Sequence, residues 1–427
     1  MKIRLEKNKI SLYIIAFATI IAMFTKSIPA NLVAVILLTI SLILIKYNET
    51  YLMFPIFIFY YTFLGNILGM SVFRWYTFIF LASYIYNDLK LLKKLKISEF
   101  TVLSVYVLYI AVVMTRYGIR LAIFTLLDVV VVCLLVKKLN SNKNAIEGFF
   151  KVYVWTAIGS FIFSLGSNNV VTPTMMNGEY FEMIRNNGTF EDSNYMGFFY
   201  TIAIFSIITL KLFKYNYRIF IVIALYAMMM SSLSMTVLVV NIILWMIYLF
   251  VDNKINIKTL LLTIGVIVGC IFLFKWAINQ PLDDNPISQF AHKIEYKLDA
   301  LNNHDMDTFT TDRSALSEKH VEYYNNQNLL EKLIGFNAVN TKMVDIGYDY
   351  NYAAHNEYLD MLLNVGLIGE IILISILIKR QIYLYRKYRK TKEFNLLCIF
   401  MCKSAWILYA FTITMFLDYR FLIFYLL

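Results

Sequence analysis

Charged residues are scarce in this chain of 427 residues: Asp, Glu, Lys and Arg together make up 16%, whereas hydrophobic residues make up 60%. Soluble domains contain about 25% charged residues, so this composition excludes an ordinary soluble protein. Apolar runs long enough to cross about 30 Å of hydrocarbon recur along the whole sequence. The chain is therefore predicted to be an integral membrane protein.

Cysteine and histidine are also scarce, with four residues of each type. The cysteines fall inside apolar segments without His or carboxylate partners, so we interpret them as packing residues: Cys133, Cys270, Cys398 and Cys402. Three histidines lack the spacing of metal ligands and receive no role: His292, His304 and His320. The sequence therefore predicts no metal ion and no cofactor.

The apolar runs are continuous rather than alternating, which predicts helices rather than membrane strands. We expect an all-α polytopic membrane protein with about 12–14 transmembrane helices. The predicted spans are residues 10–24, 28–45, 51–70, 72–86, 100–115, 119–136, 149–165, 194–210, 217–230, 233–250, 259–278, 357–378 and 395–417, with a short terminal piece at 420–427. The basic start leads into the first run without a small-residue cleavage site, so that run is interpreted as a retained helix.

Two polar segments interrupt the succession of spans, at residues 166–193 and 279–354. The chain thus divides into transmembrane helices with short loops (1–278), one large loop (279–354) and C-terminal transmembrane helices (355–427). The large loop holds six basic and twelve acidic residues, and two of its stretches have helical patterns. Because loops of this length are uncommon unless functional, we expect a folded, partly helical extracytoplasmic cap.

Lys and Arg collect in alternate loops, most densely between residues 379 and 392. This asymmetry predicts a cytoplasmic N-terminus and places both long polar segments outside. It also accounts for the net charge of +11 without a nucleic-acid partner.

A patterned cluster of polar groups lies where the large loop meets the next span: His355-Asn356, nine residues, Gly366, two residues, Gly369. This pattern resembles the O-antigen ligase and O-antigen polymerase family of bacterial envelope enzymes. Two more stretches are similar to that family: Arg185-Asn-Asn-Gly-Thr-Phe-Glu-Asp-Ser-Asn194, and Arg313 followed by the glycine turn at Gly335. One difference is that Ser231-Ser-Leu-Ser234 stands where many members carry a Ser-Arg-Gly turn.

The resemblance implies a GT-C-like fold and a metal-independent glycosyltransferase in the bacterial cytoplasmic membrane. Such an enzyme moves a growing glycan from undecaprenyl pyrophosphate to a lipid-linked repeat unit at the outer face, working with a flippase and a chain-length regulator. An O-antigen or teichuronic-type ligase, with a different acceptor, is one alternative. A transporter of lipid-linked oligosaccharide is another, although the sequence shows no internal repeat of the transporter type.

The departing pyrophosphate gathers negative charge, and guanidinium groups are suited to stabilise it. Arg185 and Arg313 are the predicted catalytic cations, and Arg116 and Arg120 are predicted to bind substrate. Each Arg has an alternative interpretation: Arg185, Arg116 and Arg120 as interfacial anchors, and Arg313 as a member of a structural ion pair.

His355 is the predicted group that takes or steers the proton of the acceptor hydroxyl. It is expected in the first turn of a helix, where the helix dipole lowers an imidazole pKa and favours anions. The alternative is a simple helix cap. Asn194 and Asn356 are predicted to bind substrate, while Gly366 and Gly369 are expected to allow close helix packing. The Asp305-Met-Asp307 pair resembles the carboxylate pair of metal-dependent sugar transferases, but acidic pairs arise easily in an acidic loop.

Charges inside predicted spans are expected to pair. Counted from the cytoplasmic ends of their helices, Glu370 and Lys403 lie about 12 Å deep, so they are predicted to form an ion pair. Asp128 lies at a similar depth and is a candidate to share that contact.

Overall fold

The computed structural model describes residues 51–60, 119–141, 143–164, 169–176, 179–252, 275–280, 286–310, 313–335, 354–415 and 418–427, and a few isolated positions at 33, 36, 66–67, 70–71, 74, 76–78, 80–81 and 272. The predicted spans at 10–24 and 100–115 lie outside the described residues, as does most of 28–45, 72–86 and 259–278.

The described chain is mostly helical. Its helices before the cap are α1 (Phe54–Phe59), α2 (Ile119–Ser141), α3 (Lys143–Ser164), α4 (Ser193–Leu210), α5 (Tyr215–Met230) and α6 (Met235–Val251). The helices α7 (Pro286–Asn302), α8 (Met306–Thr310), α9 (Arg313–Asn325) and α10 (Leu329–Ile334) fall in the large loop, and we call them the cap. The last helices are α11 (Glu357–Thr391), α12 (Phe394–Tyr409) and α13 (Tyr419–Leu426).

Three described helices are long and apolar enough to cross a membrane: Lys143–Ile162, Ser193–Leu210 and Glu357–Thr391. Three shorter apolar helices accompany them: α5, α6 and α12. The predicted class, a membrane protein built of apolar helices, agrees with this. The total of 12–14 spans stays a prediction.

The polar segment at 166–193 contains a β-hairpin that the all-α prediction did not include. Strands β3 (Asn169–Met176) and β4 (Glu179–Asn186) pair antiparallel, from Asn169 opposite Asn186 to Met176 opposite Glu179. The sequence of β3 is rich in β-branched residues, which favour an extended backbone. The hairpin delivers Arg185 to the point where β4 ends.

The predicted span at 51–70 also differs from the structure. Helix α1 ends at Phe59, and two short strands follow, β1 (Asn66–Ile67) paired antiparallel with β2 (Met70–Ser71). In the sequence Gly65 directly precedes β1 and Gly69 directly precedes β2, and glycine disfavours a continuous helix.

The chain forms two compact units. The first comprises the described residues up to Phe163, with Thr189–Glu191 and α13. Its core is aromatic: the Phe59 and Tyr153 rings lie 4.9 Å apart, and the Tyr153 and Phe424 rings 5.8 Å. In this unit Arg74 pairs with Asp128, so Asp128 has a different partner from the predicted one.

The second unit comprises Ser164–Gly188 and Asp192–Phe416 and contains the hairpin, α4 to α12 and the cap. A buried polar link joins three of its apolar helices. Asn241 Nδ2 of α6 donates to Thr201 Oγ1 of α4 at 2.9 Å, and Thr201 lies 3.1 Å from the Tyr409 hydroxyl of α12. Because polar atoms in an apolar interior need partners, this link fixes the register of the three helices.

Helix α11 is kinked and longer than predicted. Gly366 has φ 68° and ψ −179°, which breaks the helical backbone there, and the helix then continues to Thr391 instead of ending near residue 378. The basic stretch after residue 379 is therefore helical rather than a loop.

The length of α11 also overturns the predicted Glu370–Lys403 pair. Gln381 lies beside this part of α12, since its Nε2 donates to Ser404 Oγ at 2.6 Å and to the Phe400 carbonyl at 3.2 Å. Glu370 is about three helical turns, or about 16 Å, further along α11. Lys403 instead lies close enough to Arg380 for their charges to interact. The depth count failed because it started from the wrong helix end.

Candidate functional site

His355 lies just outside α11, in a left-handed backbone conformation with φ 50°. The prediction placed it in the first turn, but the helix begins at Glu357 and Asn356 is its N-cap. A left-handed conformation is costly for a non-glycine residue and is found where the surroundings enforce it. His355 is thus held at the helix entrance rather than being part of the helix.

Asn356 supplies the cap that starts α11. Its Oδ1 accepts hydrogen bonds from the backbone N–H groups of Tyr358 at 3.1 Å and Leu359 at 3.3 Å. This is the usual work of an N-cap asparagine. The predicted contact between Asn356 and a substrate stays a prediction.

Arg185, at the end of β4, is anchored to the Ser231–Ser234 turn. The Asn186 backbone N–H donates to the Ser231 carbonyl at 3.2 Å, and Arg185 Nη2 donates to the Leu233 carbonyl at 3.4 Å. Leu233 itself has φ 49°, so its carbonyl is presented by a tight turn. The turn that lacks an arginine of its own therefore holds the arginine of the hairpin.

One donor of Arg185 remains available. Within the described part of the chain its Nε is buried and has no hydrogen-bond partner. A buried, charged donor without an acceptor is costly, so the position favours an anionic ligand.

Asp192 and Asn194 form the start of α4. The Asp192 carboxylate caps the helix by accepting from the Asn194 N–H at 2.6 Å. Asn194 Oδ1 in turn accepts from Ser234 Oγ at 2.5 Å, which ties the helix start to the same turn that holds Arg185. The predicted substrate contact of Asn194 stays a prediction, and the structure shows a buried linking role.

The cap contributes Arg313 from the start of α9. Its Nη1 donates to the Thr412 carbonyl at 3.2 Å. The turn after α12 that carries Thr412 is bound to the start of α11, because the Glu357 N–H donates to the Ala410 carbonyl at 2.7 Å and the Glu357 carboxylate accepts from the Met415 N–H. The same turn thus couples Arg313 to the helix that follows His355.

Helix α7 of the cap brings two lysines to the same place. Phe290 and Leu233 form a buried apolar contact against which Ile294 packs, and α7 also touches β4. Lys293 and Lys297 are each only 9% exposed. Helix α7, and with it the cap, therefore packs against the Ser231–Ser234 turn that binds Arg185.

The four cations act on one another. Burial, and then the charges of Arg185, Lys297 and Arg313, lower the pKa of Lys293 to about 6. Burial, and then Arg313 and Arg185, lower the pKa of Lys297 to about 8. The structure thus collects Arg185, Lys293, Lys297 and Arg313 in a single positive cluster.

His355 belongs to this cluster. Burial lowers its pKa below 6.5, and the charges of Arg313 and His320 lower it further, while Asp192 opposes them. Asp192 is also the carboxylate that acts on Arg185 and Arg313. The imidazole is therefore neutral at neutral pH, within electrostatic reach of the Arg313 guanidinium and the Asp192 carboxylate.

The predicted site residues separate into two groups. The structure brings Arg185, Arg313 and His355 together and puts Asn194 and Asn356 at the helix starts beside them. Arg116 lies outside the described residues. Arg120 lies in the first turn of α2, and its side chain is also outside the described part.

Sequence reasoning missed Lys293, Lys297, Asp192 and His320. A signal for the lysines was present: with Phe290 and Ile294 they recur at helical spacing on one side of α7, so an amphipathic analysis places them on the buried face. No comparable signal existed for His320, whose Nδ1 lies 2.8 Å from the Leu316 carbonyl oxygen in the preceding turn of the same helix.

The acidic pair of the loop serves the local fold in the part that is described. Asp305 Oδ1 accepts from the Thr308 N–H at 3.0 Å and so caps α8, while the Asp307 side chain lies outside the described residues. Among the residues that the structure describes, no group of three or more His, Cys, Asp or Glu side chains is arranged to hold a metal ion.

Comparison of the sequence with protein-family models and with curated proteins finds no significant match.

Proposed function

We propose that the protein is a membrane glycosyltransferase of polysaccharide assembly. It transfers a growing glycan from undecaprenyl pyrophosphate to a lipid-linked repeat unit at the outer face of the bacterial cytoplasmic membrane, with the cap on that side. The flippase and the chain-length regulator that such a pathway needs are its proposed partners.

The positive cluster supports this proposal more than any other observation. Arg185, Lys293, Lys297 and Arg313 converge on one place. The Asp192 carboxylate acts on the two arginines but not on the two lysines. The surrounding loop is acidic overall, with twelve acidic and six basic residues, yet three of those six basic residues belong to the cluster. Cations concentrated in this way, with a buried donor of Arg185 still available, suit a polyanion.

The proposed reaction also needs a proton acceptor. The bond between the anomeric carbon and the diphosphate oxygen breaks, the acceptor oxygen bonds to that carbon, and the hydroxyl proton passes to His355. The diphosphate leaves with the bonding electrons and one more negative charge, which the guanidinium groups stabilise. A neutral imidazole within electrostatic reach of Arg313 fits the role of that base.

The test is the length of the lipid-linked glycan made in cells. His355→Ala and Arg313→Gln should each leave material of a single repeat unit, with a normal amount of protein in the membrane. Lys332→Met, in α10 of the same cap and outside the cluster, is the matched control and should give full-length polymer. Full-length polymer in the His355→Ala strain would remove this residue from the reaction.

The same strains separate the polymerase from the ligase. Loss of a polymerase leaves short lipid-linked material, whereas loss of a ligase leaves long polymer on the lipid carrier that never reaches its final acceptor. Long polymer retained on the lipid carrier would show that the protein is a ligase with a different acceptor. The proposed site for the lipid-linked donor would be unchanged.

A further inference from the structure

The two lysines of α7 are presented as a pair. They are one helical turn apart, so their Cα atoms are separated by about 6 Å along the helix axis. Phe290 and Ile294 seat this side of α7 against Leu233, whose carbonyl binds Arg185. Lys297 is held further by a 2.5 Å hydrogen bond from its Nζ to the Phe309 carbonyl of α8. The two lysines therefore lie near the Arg185 guanidinium but are held by a different element, since they belong to α7 and Arg185 belongs to β4.

The cluster has two halves with different chemistry. Arg185 and Arg313 come from the hairpin and from α9, and guanidinium groups stay charged at any physiological pH. Lys293 and Lys297 come from α7, and ammonium groups lose their proton readily when buried beside like charges. One half is permanently positive, and the other can change its charge.

A diphosphate diester matches the number of cations. It has four non-bridging oxygens, two on each phosphorus, whereas a phosphodiester has two. Two arginines are enough to bind one phosphoryl group. The two lysines would therefore have no anionic partner in the ligand unless a second phosphoryl group is present.

Building on the proposed function, we infer that Lys293 and Lys297 bind the second phosphoryl group of the donor diphosphate, and that the site takes up a proton as this anion enters. Arg185 and Arg313 hold the first phosphoryl group. The site thereby recognises a diphosphate rather than a monophosphate.

The charged groups around the pair account for the proton uptake. Lys293 faces Arg185 from β4, Arg313 from α9 and Lys297 from its own helix. Lys297 faces Arg313 and Arg185 as well. Asp192 and His355 act on the arginine side of the cluster. With a pKa of about 6, Lys293 is mostly neutral at neutral pH in the empty site. An entering anion removes the repulsion and raises this pKa, so Lys293 gains a proton.

The probes are short-chain prenyl diphosphate and prenyl monophosphate esters of one monosaccharide. Both are diesters, so neither carries a phosphate proton that titrates near neutral pH. Calorimetry on the full-length protein in lipid nanodiscs, at about pH 7 in buffers of different ionisation enthalpy, gives both affinity and proton uptake. The wild type should bind the diphosphate about tenfold to hundredfold more tightly than the monophosphate and take up close to one proton.

Two kinds of variant test the role of the pair. The double variant Lys293→Met with Lys297→Met should lose most of the preference for the diphosphate and all of the proton uptake. The double variant Lys293→Arg with Lys297→Arg should keep the preference but lose the uptake, since arginine is already charged. If the lysines had a purely structural role, the arginine variant would not lose the proton uptake while keeping the preference for the diphosphate. Lys332→Met is again the control and should match the wild type.

The outcomes distinguish this inference from the proposed function. If the wild type binds neither probe, the proposed function fails. If the wild type binds the diphosphate and the methionine variants bind it equally well with equal proton uptake, the assignment of the lysines fails and the proposed function stands. Methionine removes an ionisable group from a buried site, so the variants should melt no lower than the wild type at neutral pH.

Discussion

At the scale of the residue, the protonation of His355 depends on a balance of neighbours. Burial and Arg313 lower its pKa, and Asp192 raises it. A group with a pKa below 6.5 stays neutral until the pH falls below that value, so the base form is present throughout the neutral range.

We predict that the rate of glycan transfer is constant through neutral pH and falls only in acid, at a pH below the ordinary pKa of an imidazole, as His355 gains a proton. Asp192→Asn removes the negative charge that stabilises the imidazolium but keeps an N-cap for α4. In this variant the acid limb of the pH–rate profile should move to lower pH. The profile is measured with a lipid-linked donor in nanodiscs.

The control for this experiment is Glu322→Gln, which removes an exposed carboxylate of the cap that does not act on His355. Its profile should superimpose on that of the wild type. An acid limb that stays in place in Asp192→Asn, or moves to higher pH, contradicts the proposed interaction.

At the scale of the element, the cap is joined to α11 by two glycines. Gly335, at the end of α10, has φ 83°, and Gly366, at the kink of α11, has φ 68°. A Cβ on Gly366 would lie 2.3 Å from the Gly335 nitrogen and 2.5 Å from the Leu333 carbonyl oxygen. The two backbones touch, and no side chain fits between them.

We predict that Gly366→Ala destabilises the seating of the cap by about 1–3 kcal/mol, through strain at positive φ and through this steric clash. The melting temperature should fall, and the cap should become more sensitive to protease. Gly148→Ala is the control, because in the interior of α3 its new methyl group meets Leu52 and Tyr51 at 3.4 and 3.6 Å. An unchanged melting temperature in Gly366→Ala would show that the junction is looser than the structure indicates.

Burial of Lys293 and Lys297 in the cap makes the folding stability of the protein depend on pH. Burial and neighbouring positive charges lower the pKa of Lys293 to about 6 and that of Lys297 to about 8, well below the ordinary value for lysine. From about pH 6 to about pH 10 the unfolded chain therefore binds more protons than the folded protein. Folding stability of the ligand-free protein should therefore rise with pH between about 6 and 10.

We predict that the melting temperature of the ligand-free wild type increases over this pH range. The increase should be smaller in the double variant Lys293→Met with Lys297→Met, because methionine does not titrate. Lys332→Met should retain the wild-type slope. A double variant with an unchanged slope would show that other groups cause the dependence.

At the scale of the whole molecule, function depends on which side of the membrane holds the cap. Helix α11 ends in a basic stretch, with Arg389 and Lys390 in its last turn, whereas the loop before it is acidic. The positive-inside asymmetry predicts that this end of α11 is cytoplasmic and that the cap is outside.

We predict that Asn326→Cys, exposed at the end of α9, reacts with a membrane-impermeant maleimide in intact cells. Lys390→Cys should react only after the cytoplasm has been opened. Of the native cysteines that the structure describes, Cys398 and Cys402 are buried and Cys133 is partly buried, so background labelling at these three should be low. Labelling of both positions from the same side would reject the proposed topology.

Three residues of the candidate site could be proposed from the sequence because their motifs are local. His355, Arg185 and Arg313 were singled out because the short stretches around them resemble the motifs of one enzyme family. Lys293 and Lys297 were counted as ordinary loop cations, since their burial depends on the contact of Phe290 with Leu233, about 57 residues away in the sequence. Charge-depth counting failed for Lys403 for a related reason, because it assumed where α11 ends.

The sequence by itself determined the class of the protein, the apolar helices and the polar character of the cap, because run length and composition are properties of neighbouring residues. Only the tertiary structure decided that an acidic loop presents a positive cluster, that a turn without arginine holds the arginine of a hairpin, and that two glycine backbones meet. These features arise from contacts between segments far apart in the chain, where burial and like charges change what each side chain does.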